Sequence, residues 1–287
     1  MNILTVILML AAAAVMVFGL KKSKQGVEWG KPVTVAGAVI ALLLALSSLF
    51  TGGGPSAEKV REIAERYREV RGQKLGRYLS EQFDGQRAVF LMPYEPIEMK
   101  DPHVDVFMKA LNKELDNSIE ILDRLVPEPP PEVKEQAEEM RKQMEKMESA
   151  GDDMSYPPEE MMYGIEPTSE WFTAEKLDEM LEEYVGEADL LIAISEMPID
   201  IFDADFWRKS DAPKVVLTRG SVSEYYGAIK AGAVVAAVAY HPDANYDQEK
   251  PPKNVDEAFA QRYLLITPEN VDELDDEYSK LFNKKDK

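Results

Sequence analysis

The stretch GAVVAAVAYHPDANYD (232–247) decides how the chain is read. From Ala233 to Ala239 every side chain is apolar, and the run ends abruptly at Tyr240, His241 and Pro242. A short, continuously apolar run bounded by turn residues fits a strand buried on both faces, as in a parallel sheet covered by helices. Gly232 reads as the stop of a preceding helix and Pro242 as the end of the strand.

Five further runs of the same kind lie along the chain: RAVFLMP (87–93), SIEILDRLVP (118–127), ADLLIAIS (188–195), KVVLT (214–218) and RYLLIT (262–267). Helical patterns separate most of them, at 104–115, 174–185, 222–231 and 268–282. Ser221 with Glu224 fits a capping box, and Thr267 before Pro268 fits an N-cap with proline in the first turn. Strands alternating with helices predict an α/β three-layer sandwich whose five or six strands are mainly parallel. In architecture this resembles a flavodoxin-type domain or one lobe of a periplasmic binding protein. Such a likeness implies a fold, not an activity.

Ahead of this domain stand two apolar blocks at 3–20 and 33–50, each 18 residues long, joined by the polar loop KKSKQGVEWGKP. At helical rise each spans about 27 Å, enough for the hydrocarbon core of a bilayer. MNILT carries no basic n-region, which disfavours a cleaved signal peptide. We therefore expect a transmembrane hairpin at 1–55, with the bilayer as partner through residues 3–50. Lysines crowd the loop, which predicts a cytoplasmic loop and an extracytoplasmic domain. Lys59, Arg61, Arg66, Arg68 and Arg71 argue the other way.

Charge narrows the partners. Residues 1–55 carry a local +3, leaving −23 for the rest of a chain whose total is −20. A body this acidic repels phosphate backbones, which excludes nucleic acid as an expected partner. Cysteine is absent, so disulfides, thiolate catalysis and cysteine-ligated metals are excluded.

After the break TGGGPS a stalk helix is expected within 56–86. Val60, Ile63, Tyr67 and Val70 form an apolar stripe that would either dock on the α/β domain (87–287) or pair with a partner through 57–70. The acidic, Met- and Pro-rich insertion 128–169 contains a second stripe: Val133, Ala137, Met140, Met144 and Met147. A methionine seam suits adaptable contacts, either on the parent domain or with a protein partner through 133–147.

In open α/β sheets ligands bind beyond the carboxyl ends of the strands. The residues found there are Tyr94 and Glu95 after the first strand, Glu196 after ADLLIAIS, Arg219, Gly220 and Ser221 after KVVLT, and His241 and Asp243 after AVVAAVAY. TRGS (218–221) is the most suggestive, because a glycine-containing turn into a helix offers backbone N–H groups to an anion and Arg219 adds a fork. DPHVD (101–105) and HPDANYD (241–247) supply metal-ligand types, yet neither has a recognised ligand spacing, so no metal is expected. No nucleophile elbow, phosphate loop or dinucleotide fingerprint occurs. The expectation is a membrane-anchored, non-catalytic module for a small ligand, a small anion among the possibilities, or a protein partner, with no cofactor. The alternatives are an assembly protein using stalk and insertion and, behind it, a hydrolytic or metal-dependent enzyme.

Overall fold

A computed structural model describes residues 57–94, 102–149, 168–244 and 251–282, with isolated positions between 15 and 35. The chain divides into two units, Met1–Glu62 and Ile63–Lys287, and the second contains the sheet. Its six strands are β1 (Gln86–Leu91), β2 (Ile119–Leu125), β3 (Leu190–Ala193), β4 (Lys214–Leu217), β5 (Val234–Tyr240) and β6 (Tyr263–Ile266). They lie in the order β2-β1-β3-β4-β5-β6. The first five are mutually parallel, and β6 pairs antiparallel with β5. This is a mixed α/β fold with a mostly parallel sheet, and each of the six apolar runs supplies one strand.

Side-chain alternation along each strand feeds two separate cores. Ala88 and Phe90 of β1 and Leu190 and Ile192 of β3 belong to one. Helices α1 (Ala57–Gln82) and α2 (Pro102–Leu115) supply Tyr67, Val70, Leu75, Phe107 and Leu111 to it. Val89, Leu91, Leu191 and Ala193 point into the other. There they meet Val133 of α3 (Pro131–Ser149) and Trp171 of α4 (Thr168–Trp171). Leu177 of α5 (Ala174–Leu181), Ile229 of α6 (Tyr226–Lys230) and Val271 of α8 (Val271–Glu277) join the same core. The stripe Ile63, Tyr67 and Val70 is thus buried within the second unit. Gly72 and Gly76 let α1 approach α2 closely: a Cβ at Gly72 would stand 2.5 Å from the Phe107 carbonyl oxygen, and one at Gly76 2.7 Å from the Glu114 Cβ.

One irregularity matters for the site. Val215 pairs with Val234 but Val216 pairs with Ala236, so Val235 is an extra residue in β5. A bulge of one residue reverses the facing of everything after it. Ala237 and Ala239 consequently share the core of Val234, and Val238 joins the core beneath α1. By the same alternation Tyr240 lies on the α1 side of the sheet.

Several local expectations shift. Ser221 does not cap a helix: its hydroxyl pairs with that of Ser223 at 2.8 Å, and a three-residue 3₁₀ turn, Ser223–Tyr225, precedes the five-residue α6. Thr267 does not start α8 either. The Asn270 side chain accepts from the Thr267 N–H at 2.8 Å and donates to the Leu265 carbonyl at 2.9 Å, holding a turn that delays the helix to Val271. Gly232 does end α6, at φ 74°, with Gly232 N–H donating to the Ile229 carbonyl and Ala233 N–H to that of Ala228. That pair of bonds is a Schellman motif. A helix that the apolar pattern does not announce, α7 (Val255–Ala260), is capped by Asn254, whose side chain accepts from the Asp256 and Glu257 N–H groups.

Among the described residues no helix is long and apolar enough to cross a membrane. The spans expected at 3–20 and 33–50 lie outside the described residues, apart from Val15, Val17, Phe18 and Val35. Residues 150–167 of the insertion also lie outside them.

Candidate functional site

Arg68 and Arg71 lie one turn apart on α1, with Ala64 one turn earlier on the same face. Opposite them stand the end of β5 and the start of β6. Because β6 runs antiparallel, Tyr240 and Tyr263 are direct partners in the ladder, with ring centroids 5.4 Å apart. Arg262 precedes Tyr263. These six residues, Ala64, Arg68, Arg71, Tyr240, Arg262 and Tyr263, line a cavity of about 410 Å³ at the carboxyl edge of the parallel strands.

Its guanidinium groups are held by rings. The Arg71 guanidinium lies 4.6 Å from the Phe107 ring centroid and 5.8 Å from that of Tyr263, while Arg262 stacks 3.8 Å from the Tyr67 ring. Tyr67 is itself fixed by donating to the Gln261 side-chain oxygen at 2.9 Å. The Nη1 atom of Arg68 and the Nε atom of Arg71 are buried and make no hydrogen bond, and neither residue forms an ion pair among the described residues. Elsewhere arginines find carboxylates: Arg66 with Glu69 at 2.7 Å, Arg77 with Glu114 at 3.0 Å, Arg87 with Glu187 at 2.8 Å.

In a chain with 53 acidic and 33 basic residues, two arginines that meet no carboxylate among the described residues form a local inversion of charge. Burial pushes the Arg71 guanidinium below its ordinary value; Tyr263 and then Tyr240 oppose it, and the positive charges of Arg219 and Arg68 add lesser downward pushes. Arginine stays charged through such shifts. The cavity therefore offers fixed, incompletely bonded N–H forks, which is what carboxylates and phosphates take.

The rim residues expected from sequence are dispersed. Tyr94 packs edge-on against Trp171, centroids 6.0 Å apart, beside the point where the chain switches sides between β1 and β3. Glu95 lies outside the described residues. Glu196, Arg219, Gly220 and Ser221 are exposed, with Gly220 at φ 105°. A helical stretch as short as α6 concentrates little dipole at the TRGS turn, and Arg219 does not line the arginine pocket. His241 is occupied on both nitrogens: Nδ1 accepts from the Asp243 backbone N–H at 3.1 Å, and Nε2 meets the Tyr278 hydroxyl at 3.2 Å. Asp101 lies outside the described residues, and no group of three or more potential ligands gathers among the described ones.

No protein-family model matches this chain, and no curated protein matches it significantly. The pocket has to be interpreted from its own chemistry. Its readable signal was the basic stripe Arg68 and Arg71 beside an apolar one. What could not be read was that Arg262 and Tyr240, 22 positions apart in the chain, meet it through an antiparallel pairing.

Proposed function

We propose that this protein is a membrane-tethered, non-catalytic α/β module that binds a small anion at the carboxyl edge of its sheet. The observation that carries the reading is the buried, ring-held Arg71 and its neighbour Arg68, both without a carboxylate partner among the described residues of a strongly acidic chain. A guanidinium buried without a counter-charge is unfavourable to folding, and a bound anion would supply what is missing. The strand order β2-β1-β3-β4-β5 is also that of flavodoxin-type domains, whose ligands sit at the carboxyl edge by the β1/β3 switch point, while this pocket lies on the same edge at β5 and β6. The tether rests on the apolar spans 3–20 and 33–50 and their lysine-rich loop, with the domain extracytoplasmic. Arg219 stands outside the lining of the cavity, and its positive charge is felt at Arg71 as a lesser influence.

The test is isothermal titration of the full chain, in an uncharged detergent, with a panel of small carboxylates and oxyanions. At least one should bind, Arg71→Gln should abolish the heat while cooperative thermal unfolding persists, and Arg219→Ala should weaken binding. Heats that are absent throughout, or unchanged by Arg71→Gln, would overturn the proposal.

A further inference from the structure

A second site lies apart from the arginine pocket and does not depend on it: we propose that the carboxyl ends of β1 and β3 take the carbonyl group of a small neutral molecule, held by the Trp171 indole N–H and the Ser195 hydroxyl. Ser195 is 3% exposed and Trp171 8%, yet among the described residues neither Ser195 Oγ nor Trp171 Nε1 has a hydrogen-bond partner. Buried polar groups are nearly always paired, and an unpaired one is costly to the fold. Trp207 follows the rule, its Nε1 donating to the Ile201 carbonyl at 2.7 Å. The two unpaired groups are tied to the same strand end. Ser195 follows β3, and its backbone N–H donates at 3.0 Å to the carbonyl of Leu91, the last residue of β1. Trp171 packs edge-on against Tyr94, just beyond Leu91, and shares a core with Leu91, Ala193 and Met197. The crossovers beside β1 run on opposite faces of the sheet, α2 in one core and α3 to α5 in the other. Where crossovers diverge in this way, a crevice opens at the carboxyl ends of the strands.

The chemistry of the two groups sets the ligand class. An indole N–H only donates, so the ligand must bring an acceptor; a hydroxyl can donate to that same acceptor or accept from an N–H beside it. A carbonyl meets the first demand, and an amide meets both. The neighbours Leu91, Ala193 and Met197 are apolar, and a neutral ligand enters such surroundings without stripping water from a charge. Lys176 is stacked on the face of the indole, its ammonium 5.6 Å from the ring centroid, which leaves the N–H edge to the ligand. No base is hydrogen-bonded to the Ser195 hydroxyl, which makes it a binding group and not an activated nucleophile.

The indole N–H resonances of the full chain, labelled with nitrogen-15 tryptophan in uncharged detergent, provide the test. The chain has three tryptophans, and Trp171→Phe assigns the signal of interest. Cyclohexanone and 2-piperidone should each move the Trp171 signal downfield to saturation, while that of Trp207, already bonded, stays in place. Cyclohexane, a ring of the same size with no acceptor, should move neither. Ser195→Ala should weaken 2-piperidone by about fivefold, the worth of one hydrogen bond, with cooperative thermal unfolding kept. A Trp171 signal that none of the probes moves would overturn the proposal and leave the two groups to a buried water only. Cyclohexane acting as strongly as cyclohexanone would also overturn it, making the crevice merely apolar. Pentanoate binding more tightly than 2-piperidone, with that lead lost in Lys176→Gln, would replace the neutral ligand by an anion. Should Ser195→Ala not fold, the contrast between cyclohexanone and cyclohexane in the wild type decides alone.

Discussion

Arg71 has two jobs that pull in opposite directions. Its aliphatic stem and guanidinium fill space against Phe107 and Tyr263, yet no carboxylate among the described residues answers its charge. Arg71→Met keeps much of the packing volume and removes the charge. Replacing buried charge by apolar volume is often stabilising, so urea unfolding should show Arg71→Met more stable than wild type by about 1 kcal/mol, with anion binding lost. A variant less stable than wild type would make Arg71 a structural residue. Half of this residue-scale picture was written in the chain. Ala64, Arg68 and Arg71 share one helical face, but a basic residue soon after an apolar span also serves topology, and spacing alone does not separate the two roles. Which face Tyr240 occupies depends on the extra residue Val235 in β5, and a run of valines and alanines carries no mark of a bulge.

The elements themselves were more legible than their directions. The inner strands β1, β3, β4 and β5 are apolar at nearly every position because both faces are covered, while the edge strand β2 keeps Glu120, Asp123 and Arg124. RYLLIT looks no different from the others, yet β6 runs antiparallel, because direction is set by the short return through α7 and not by strand composition. Helix starts depart from expectation where side chains have better partners: Ser221 turns to Ser223, and Asn270 ties down the segment after Thr267. The insertion helix α3 shows the opposite outcome. Val133, Ala137 and Met140 are buried, Val133 completely, so the first half of the seam packs within its own unit. Val133→Ser should therefore cost roughly 1–3 kcal/mol, because apolar packing is removed and a hydroxyl takes its place in the core. Hydrogen exchange should show protection falling in Pro131–Ser149 and holding in β1 and β3. Unchanged protection across α3 would mean that the helix is held by something other than this anchor.

At the scale of the molecule, the buried tyrosines set an alkaline limit. Burial pushes the Tyr78 hydroxyl up to about 12, with the nearby Glu269 adding to it, and burial raises Tyr225 further still, with Glu224 adding to it. Unfolded, both ionise near their ordinary value of about 10. Below that pH the folded and unfolded chains bind the same protons and stability is unaffected. Above it the unfolded chain sheds protons that the folded chain retains, so stability is lost as pH climbs from 10 toward 12. Urea midpoints measured from pH 8 to about 11.5 should fall along this limb, and Tyr78→Phe should make the fall shallower. A midpoint flat across the range would show that both hydroxyls are reached by water in the folded state. The strand order has a consequence of a different kind, in time. β1 lies between β2 and β3, and the backbone N–H of Arg87 donates to Asp189, 102 positions further along the chain. At a synthesis rate of about 5–20 residues per second, β1 waits roughly 5–20 s on the ribosome for its second neighbour. Throughout that wait the strand holding Ala88, Val89, Phe90 and Leu91, all fully covered in the finished fold, has one edge unpaired. The protein is thus most open to aggregation while it is being made, and a nascent-chain chaperone has the most to do between the emergence of β2 and that of β3.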